Sequence, residues 1–216
     1  MKAVFTCGGT GGHINPALAV ARVLLERRPD SEILFVGAED GMEATLVPRE
    51  GFRLETLQIS SYMRSLKPSA IRHNVRAALS IRRALKKADR IIRDFQPDVI
   101  LGTGGYASYP MLHEGARLGI PTAVHESNAV PGLATKMVAD KVDRILVSFA
   151  DSRSAYRDPS RVIAVGMPVR EEFVFTRRAD ARRALGLDEK TPMIVSAWGS
   201  LGAREMNKQI AQFMKL

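Results

Sequence analysis

One loop limits the possible folds of this chain more than any other stretch: Thr6-Cys7-Gly8-Gly9-Thr10-Gly11-Gly12-His13. A β-branched and aromatic run, Ala3-Val4-Phe5, leads into it, and an Ala/Leu/Val-rich helical pattern from Pro16 to about Arg27 leaves it. The unit is therefore a strand, a loop and a helix. Four glycines in five positions let the backbone approach a ligand closely and adopt positive φ. The helix start beyond them presents free N–H groups and the positive end of its dipole, so the loop has the outline of a phosphate cradle. Asn15 suits the N-cap and Pro16 the first helical turn, where no N–H is needed. His13 then sits at the ligand end, where a group that exchanges a proton near neutral pH is useful. For a single loop of this kind, a tight turn with a surface histidine is the alternative.

Two familiar phosphate motifs do not fit. A dinucleotide fingerprint needs glycines at i, i+2 and i+5, but counting from Gly9 the third position is Ile14, and counting from Gly8 the second is Thr10. A P-loop needs Gly-Lys-Ser/Thr, and the loop has no lysine. Both NAD and ATP are disfavoured.

Further along, Glu32 to Gly37 and Phe52 to Ile59 have strand character, with a short helical pattern after Glu39-Asp40-Gly41-Met42-Glu43. Asp98-Val99-Ile100-Leu101 is a short apolar strand of the kind buried in parallel sheets, and it ends in a second glycine loop, Gly102-Thr103-Gly104-Gly105-Tyr106. A helix from about Ser108 to Leu118 stops at Gly119, and Pro121 to Val124 is the next strand, ending in His125-Glu126-Ser127-Asn128. Arg144 to Phe149 and Arg161 to Val165 complete the strands. Strands alternating with helices predict an α/β fold with a doubly wound, Rossmann-like parallel sheet. The three polar clusters all fall just beyond strand carboxyl ends, where such sheets bind ligands. Met193 to Ala197 has the pattern of a fresh strand, followed by the glycine loop Gly199-Ser200-Leu201-Gly202.

The net charge of +9 and a pI near 10.0 call for an anionic partner. The charge is concentrated between Arg64 and Arg93, where Ala78, Ile81, Leu85, Ala88, Ile92 and Phe95 recur at helical spacing, leaving one face apolar and the rest basic. A solvated helix face accounts for much of this pattern. Aromatic interleaving is missing, which argues against nucleic acid. Tyr62, Met63, Leu66 and Lys67, followed by Arg72, Arg76 and Arg83, fit a patch on an anionic membrane. No apolar run reaches the roughly 18 residues of a membrane span, and Met1-Lys2 leads straight into a strand, so a cytoplasmic location is expected. The single cysteine, Cys7, excludes an intramolecular disulfide and a cysteine-based zinc site.

The ordered set of Gly8 to His13, Gly102 to Tyr106, His125-Glu126-Ser127-Asn128, Gly166-Met167-Pro168-Val169-Arg170 and Gly199 to Arg204 closely resembles the MurG family, along the whole chain. Met42-Glu43-Ala44 and Leu46-Val47-Pro48 also match that family's pattern. The family transfers N-acetylglucosamine from UDP to undecaprenyl-pyrophosphoryl-N-acetylmuramoyl-pentapeptide, the lipid I to lipid II step of peptidoglycan synthesis. The resemblance implies a GT-B arrangement of two Rossmann-like domains. Its acceptor- and membrane-binding domain corresponds to residues 1–165, an interdomain connection to 166–191 and the incomplete start of a donor-binding domain to 192–216. It further implies that Thr10, Gly11, Gly12, Asn128, Arg170 and Ser200 contact the donor and that His13, Tyr106 and Glu126 are acceptor-side or catalytic, with Gly102, Thr103, Gly104 and Gly105 as an acceptor or phosphate loop. Met167 departs from the family's asparagine and Trp198 from a common third-loop glycine.

The implied chemistry is an inverting transfer, with His13 as the first choice of base and Glu126 as the second, either as base or as the group orienting the acceptor. No Asp-x-Asp occurs, so no cofactor or obligatory metal is expected, UDP-N-acetylglucosamine being a substrate. The implied place is the cytoplasmic face of the bacterial inner membrane, held peripherally. The family's full chain is longer, so no turnover is expected from these 216 residues alone. A split transferase completed by a separate donor domain, and a catalytically silent membrane-surface module, are the alternatives.

Overall fold

The chain runs β1 (Lys2–Thr6), α1 (Gly11–Arg27), β2 (Glu32–Ala38), α2 (Glu43–Arg49), β3 (Arg53–Leu57), α3 (Pro68–Phe95), β4 (Val99–Gly102), α4 (Ser108–Arg117), β5 (Thr122–Glu126), α5 (Leu133–Val138), β6 (Arg144–Val147) and β7 (Val162–Ala164). This computed structural model describes residues 1–60, 68–198 and 204–215, with residues 68–76, 78 and 79 of α3 by backbone alone. The seven strands form one sheet in the order β3-β2-β1-β4-β5-β6-β7, and every pair is parallel. This is the α/β doubly wound sheet that alternating strands and helices require. The order reverses direction between β1 and β4, which opens a crevice at their carboxyl ends.

Both faces of the sheet are covered. Strand alternation sends Val4, Leu34 and Ile100 to one face, where they pack with Ala84, Ala88 and Ile92 of α3 and with Met111 and Leu112 of α4. The other face receives Ala3, Phe5 and Phe35 beneath Ile14, Ala17, Leu18 and Ala21 of α1. Phe5 and Phe35 stack with centroids 5.3 Å apart. Fully burying a side chain such as Leu34 or Phe35 contributes about 1.5–3 kcal/mol, so this two-faced core carries the site's scaffold. The α4 terminus follows its sequence signal: Gly119 has φ +75°, its N–H bonds Ala116 O and the Ile120 N–H bonds Gly115 O, closing the helix with the paired bonds of a left-handed C-terminal cap.

Two expectations are corrected. Helix α1 begins at Gly11, with Thr10 as its N-cap, so Pro16 lies inside the helix and Asn15 is not the cap. The Thr10 carbonyl accepts the His13 and Ile14 N–H groups, which starts the helix a turn earlier than the proline suggests. Met193 to Ala197 forms no strand: Ile194 and Val195 are 83% and 71% exposed. A strand needs a hydrogen-bonded neighbour, and every strand among the described residues belongs to the first sheet.

The chain divides into two compact units, Met1–Val169 and Arg170–Leu216. The second contains α6 (Glu171–Phe175), α7 (Arg178–Ala184) and α8 (Arg204–Phe213). Among the described residues, no helix is long and apolar enough to cross a membrane.

Candidate active site

Two glycine loops meet over the crevice between β1 and β4. The first leaves β1 and the second leaves β4, and they touch so closely that side chains are excluded. A Cβ on Gly105 would overlap the Gly8 carbonyl oxygen, and one on Gly104 would lie 2.7 Å from His13 Nδ1. Both glycines have positive φ, +81° and +99°, which other residues adopt only with strain. Gly102 is the last residue of β4, buried, and a Cβ there would meet Leu112 at 2.5 Å, so it lets α4 pack closely against the strand.

His13 and Thr103 join the two loops reciprocally. The Thr103 hydroxyl donates to the His13 carbonyl at 2.6 Å, and His13 Nδ1 lies 3.1 Å from the Thr103 carbonyl. A carbonyl only accepts, so Nδ1 carries the proton and Nε2 keeps its lone pair. Nε2 has no hydrogen-bond partner among the described residues. The histidine is thus held in the tautomer that suits a base.

Glu126 is held in a different way. It ends β5, is 3% exposed and accepts four hydrogen bonds. Oε1 takes the Asn128 backbone N–H at 2.9 Å and its side-chain amide at 2.7 Å, while Oε2 takes the Gly132 N–H at 2.9 Å and the Thr135 hydroxyl at 2.6 Å. Burial pushes its pKa up, but the bonds from Thr135, Asn128 and Gly132 outweigh that and hold the carboxyl below the ordinary carboxylate range. A carboxylate so fully engaged is a poor base and a good anchor for the loop from Ser127 to Leu133. Tyr106 is half-buried, and burial, then the charges of Glu43 and Asp40, push its phenol up, so it remains an O–H donor at neutral pH. Burial and Glu43 likewise hold the Cys7 thiol well above its usual range, so it does not act as a nucleophile.

His13, Gly104, Gly105, Tyr106, Glu126 and Asn128 line one cavity of about 250 Å³ together with Ile59, Ile81, Tyr109, Leu133 and Met137. A few polar groups thus share a largely apolar cavity, the usual form of a small-molecule site. Thr10, Gly11 and Gly12 form the start of α1 and do not line it. Gly11 and Gly12 are the first helical residues, so their N–H groups have no intrahelical partner. Arg170 belongs to the second unit, where its guanidinium lies 5.3 Å from the Phe173 ring centroid. Ser200, Tyr62, Met63, Leu66 and Lys67 lie outside the described residues, as do the side chains of Arg72 and Arg76. Arg83 is exposed on α3.

Two groups lay in stretches that the sequence pointed to but carried no assigned role: His125 in the third polar cluster and Glu43 in Met42-Glu43-Ala44. His125 is 1% exposed; its Nε2 donates to the Gly166 carbonyl at 3.0 Å, and its Nδ1 has no partner among the described residues. Burial is the main cause holding its pKa below the ordinary histidine value. Glu43, fully buried, accepts the Ala38 N–H at 2.7 Å through Oε1 and the Gly9 N–H at 3.1 Å through Oε2. The signal for it was an acid that closely follows two glycines, Gly37 and Gly41, and has no adjacent cation.

Residues 3–147 match the glycosyltransferase family 28 N-terminal domain. Over 215 residues the chain is 40% identical to the UDP-N-acetylglucosamine–N-acetylmuramyl-(pentapeptide) pyrophosphoryl-undecaprenol N-acetylglucosamine transferase of Acetivibrio thermocellus, covering 100% of this chain and 57% of that protein. The enzyme of the same name from Clostridioides difficile is 34% identical over 217 residues, with 100% and 52% covered. The chain thus spans little more than half the length of these relatives. Among solved structures, the crystal structure of Acinetobacter baumannii MurG superposes with a TM-score of 0.68 at 25% identity, covering 97% of this chain and 55% of that one. A UDP-GlcNAc 2-epimerase from Neisseria meningitidis bound to UDP-GlcNAc shares the fold, with a TM-score of 0.56 at 15% identity over 77% of this chain and 46% of its own.

Proposed function

The chain belongs to glycosyltransferase family 28, and on that premise we propose that it is the acceptor-side part of an enzyme that transfers N-acetylglucosamine from UDP-N-acetylglucosamine to undecaprenyl-pyrophosphoryl-N-acetylmuramoyl-pentapeptide. The name shared by the relatives at 34–40% identity supports the substrates. The observation that carries the chemistry is the locked tautomer of His13 beside a largely apolar cavity. In the reaction the acceptor's sugar hydroxyl attacks the anomeric carbon of the donor. The bond from that carbon to the diphosphate breaks, and the electron pair leaves with UDP. His13 Nε2 takes the hydroxyl proton, and Nδ1–H, held by Thr103, supports the imidazolium that forms. Glu126 positions Asn128 and the loop before α5. The N–H groups of Gly11 and Gly12 are the candidates for the donor's diphosphate.

The membrane assignment rests on α3. Arg82, Arg83, Lys86, Lys87 and Arg90 are exposed along it, and Asp89 is engaged by Arg93 at 2.9 Å and by Arg117 at 2.5 Å. Such a face suits the anionic cytoplasmic surface of the bacterial inner membrane, with the enzyme attached peripherally. The test is a transfer assay with radiolabelled UDP-N-acetylglucosamine and a lipid-linked acceptor. It uses the 216-residue chain alone and a chimera completed with the C-terminal part of the Acetivibrio thermocellus relative. Label is expected in the lipid product with the chimera and not with the chain alone. A chimera that folds, binds donor and transfers nothing refutes the reading.

A further inference from the structure

We propose that Glu43 is a positioning residue for the first glycine loop: its carboxyl group, clamped between the Ala38 and Gly9 N–H groups, sets the conformation from which α1 and His13 start. Glu43 is 0% exposed, and the chain around it is shaped to admit it. A Cβ on Gly8 would lie 2.7 Å from Oε1, and Cβ atoms on Gly37 or Gly41 would overlap the same side chain. Three glycines from three segments therefore clear space for one carboxyl group. Its two oxygens join the end of β2 to Gly9, whose φ of +87° requires a backbone that few residues adopt. The bond turns the Gly9 N–H inward, away from any ligand, so the free donors of this loop are those of Gly11 and Gly12. A glutamine cannot take over, because it offers one acceptor oxygen where two N–H groups need one each.

The positioning stands on the loop geometry, and only its effect on rate rests on the transferase reading. Amide exchange in the 216-residue chain tests it directly. In the parent, the Gly9 amide is expected to exchange at least about 10-fold more slowly than those of Gly11 and Gly12, which lack intrahelical partners. Glu43→Gln is expected to remove that protection and shift the Thr10 to His13 amides. Gly41→Ala, whose Cβ would overlap the Glu43 carboxyl group, is expected to do the same with the acid retained. In the completed chimera, both variants are expected to lower kcat about 10²-fold, as misplacement of about 1 Å can, and to raise the donor KM, because Gly11 and Gly12 move with the loop. A purely structural role would reduce the number of active molecules and leave kcat per folded molecule unchanged. A Gly9 amide that exchanges as fast as Gly11 in the parent overturns the proposal, as do unmoved Thr10 to His13 amides in a folded variant. If the parent chimera shows no transfer, the functional reading fails while the exchange result still decides the positioning.

Discussion

Gly105→Ala should cost far more than Gly119→Ala although the two glycines have nearly the same backbone conformation. Their φ values are +81° and +75°. A Cβ on Gly119 meets nothing within 4 Å, so alanine there pays only for the left-handed conformation, about 1–2 kcal/mol. At Gly105 the same Cβ would overlap the Gly8 carbonyl oxygen and crowd its backbone nitrogen at 3.1 Å, and neither belongs to a flexible side chain that could move aside. Overpacking of that kind adds about 1–3 kcal/mol, giving roughly 2–5 kcal/mol in all. With about 2–4 °C per kcal/mol for a domain of this size, Tm should fall by roughly 2–8 °C for Gly119→Ala and by about 4–20 °C for Gly105→Ala. Urea titration followed by near-UV circular dichroism of the tyrosines isolates the first unit, since all four tyrosines lie there and Trp198 does not. The midpoint should move without a change in slope. Equal losses for the two variants would mean that the loops are not in the contact described, and the pairing of His13 with Thr103 would lose its support.

Two further outcomes follow from the charges. The Glu126 carboxyl has a folded pKa below its unfolded value of about 4.3, so its stabilisation is present above that pH and is lost as pH falls through the folded pKa. Glu126→Gln should therefore be less stable at neutral pH, by about 1–3 kcal/mol for each donor left unpaired, and should lose less stability below about pH 4.3. Urea midpoints measured against pH check this, and a parent-like acid limb would contradict it. Changing Arg83, Lys86 and Lys87 together to glutamine should weaken binding to anionic vesicles by about 10²-fold at roughly 1 kcal/mol per charge, and added salt should weaken the parent's binding. Equal binding to neutral and anionic vesicles would leave the basic face as a solvated surface.

The sheet was legible because its strands are short, apolar and separated by helical patterns, as at Val99 to Leu101 and at Ala88 and Ile92. The polar cluster was legible because glycines and ionisable groups follow three strands of a parallel sheet, and His13, Tyr106, Glu126 and Asn128 do converge on one cavity. What the sequence hid was partnership. Nothing local shows that Thr103, ninety residues away, fixes the His13 tautomer, or that Glu126 is engaged by Gly132 and Thr135. Pro16 misled because proline is common in a first turn, whereas the Thr10 carbonyl had already started the helix. Met193 to Ala197 misled because a β-branched run carries strand propensity whether or not a neighbouring strand is present.

The most direct test of the central claim is the transfer rate of His13→Ala in the completed chimera, measured with saturating donor and acceptor. Because Nε2 is the free lone pair at the cavity and Glu126 is fully engaged, the rate is expected to fall by about 10²–10⁴-fold while the donor KM stays near that of the parent. A rate within a few-fold of the parent would contradict the assignment of His13 as the base.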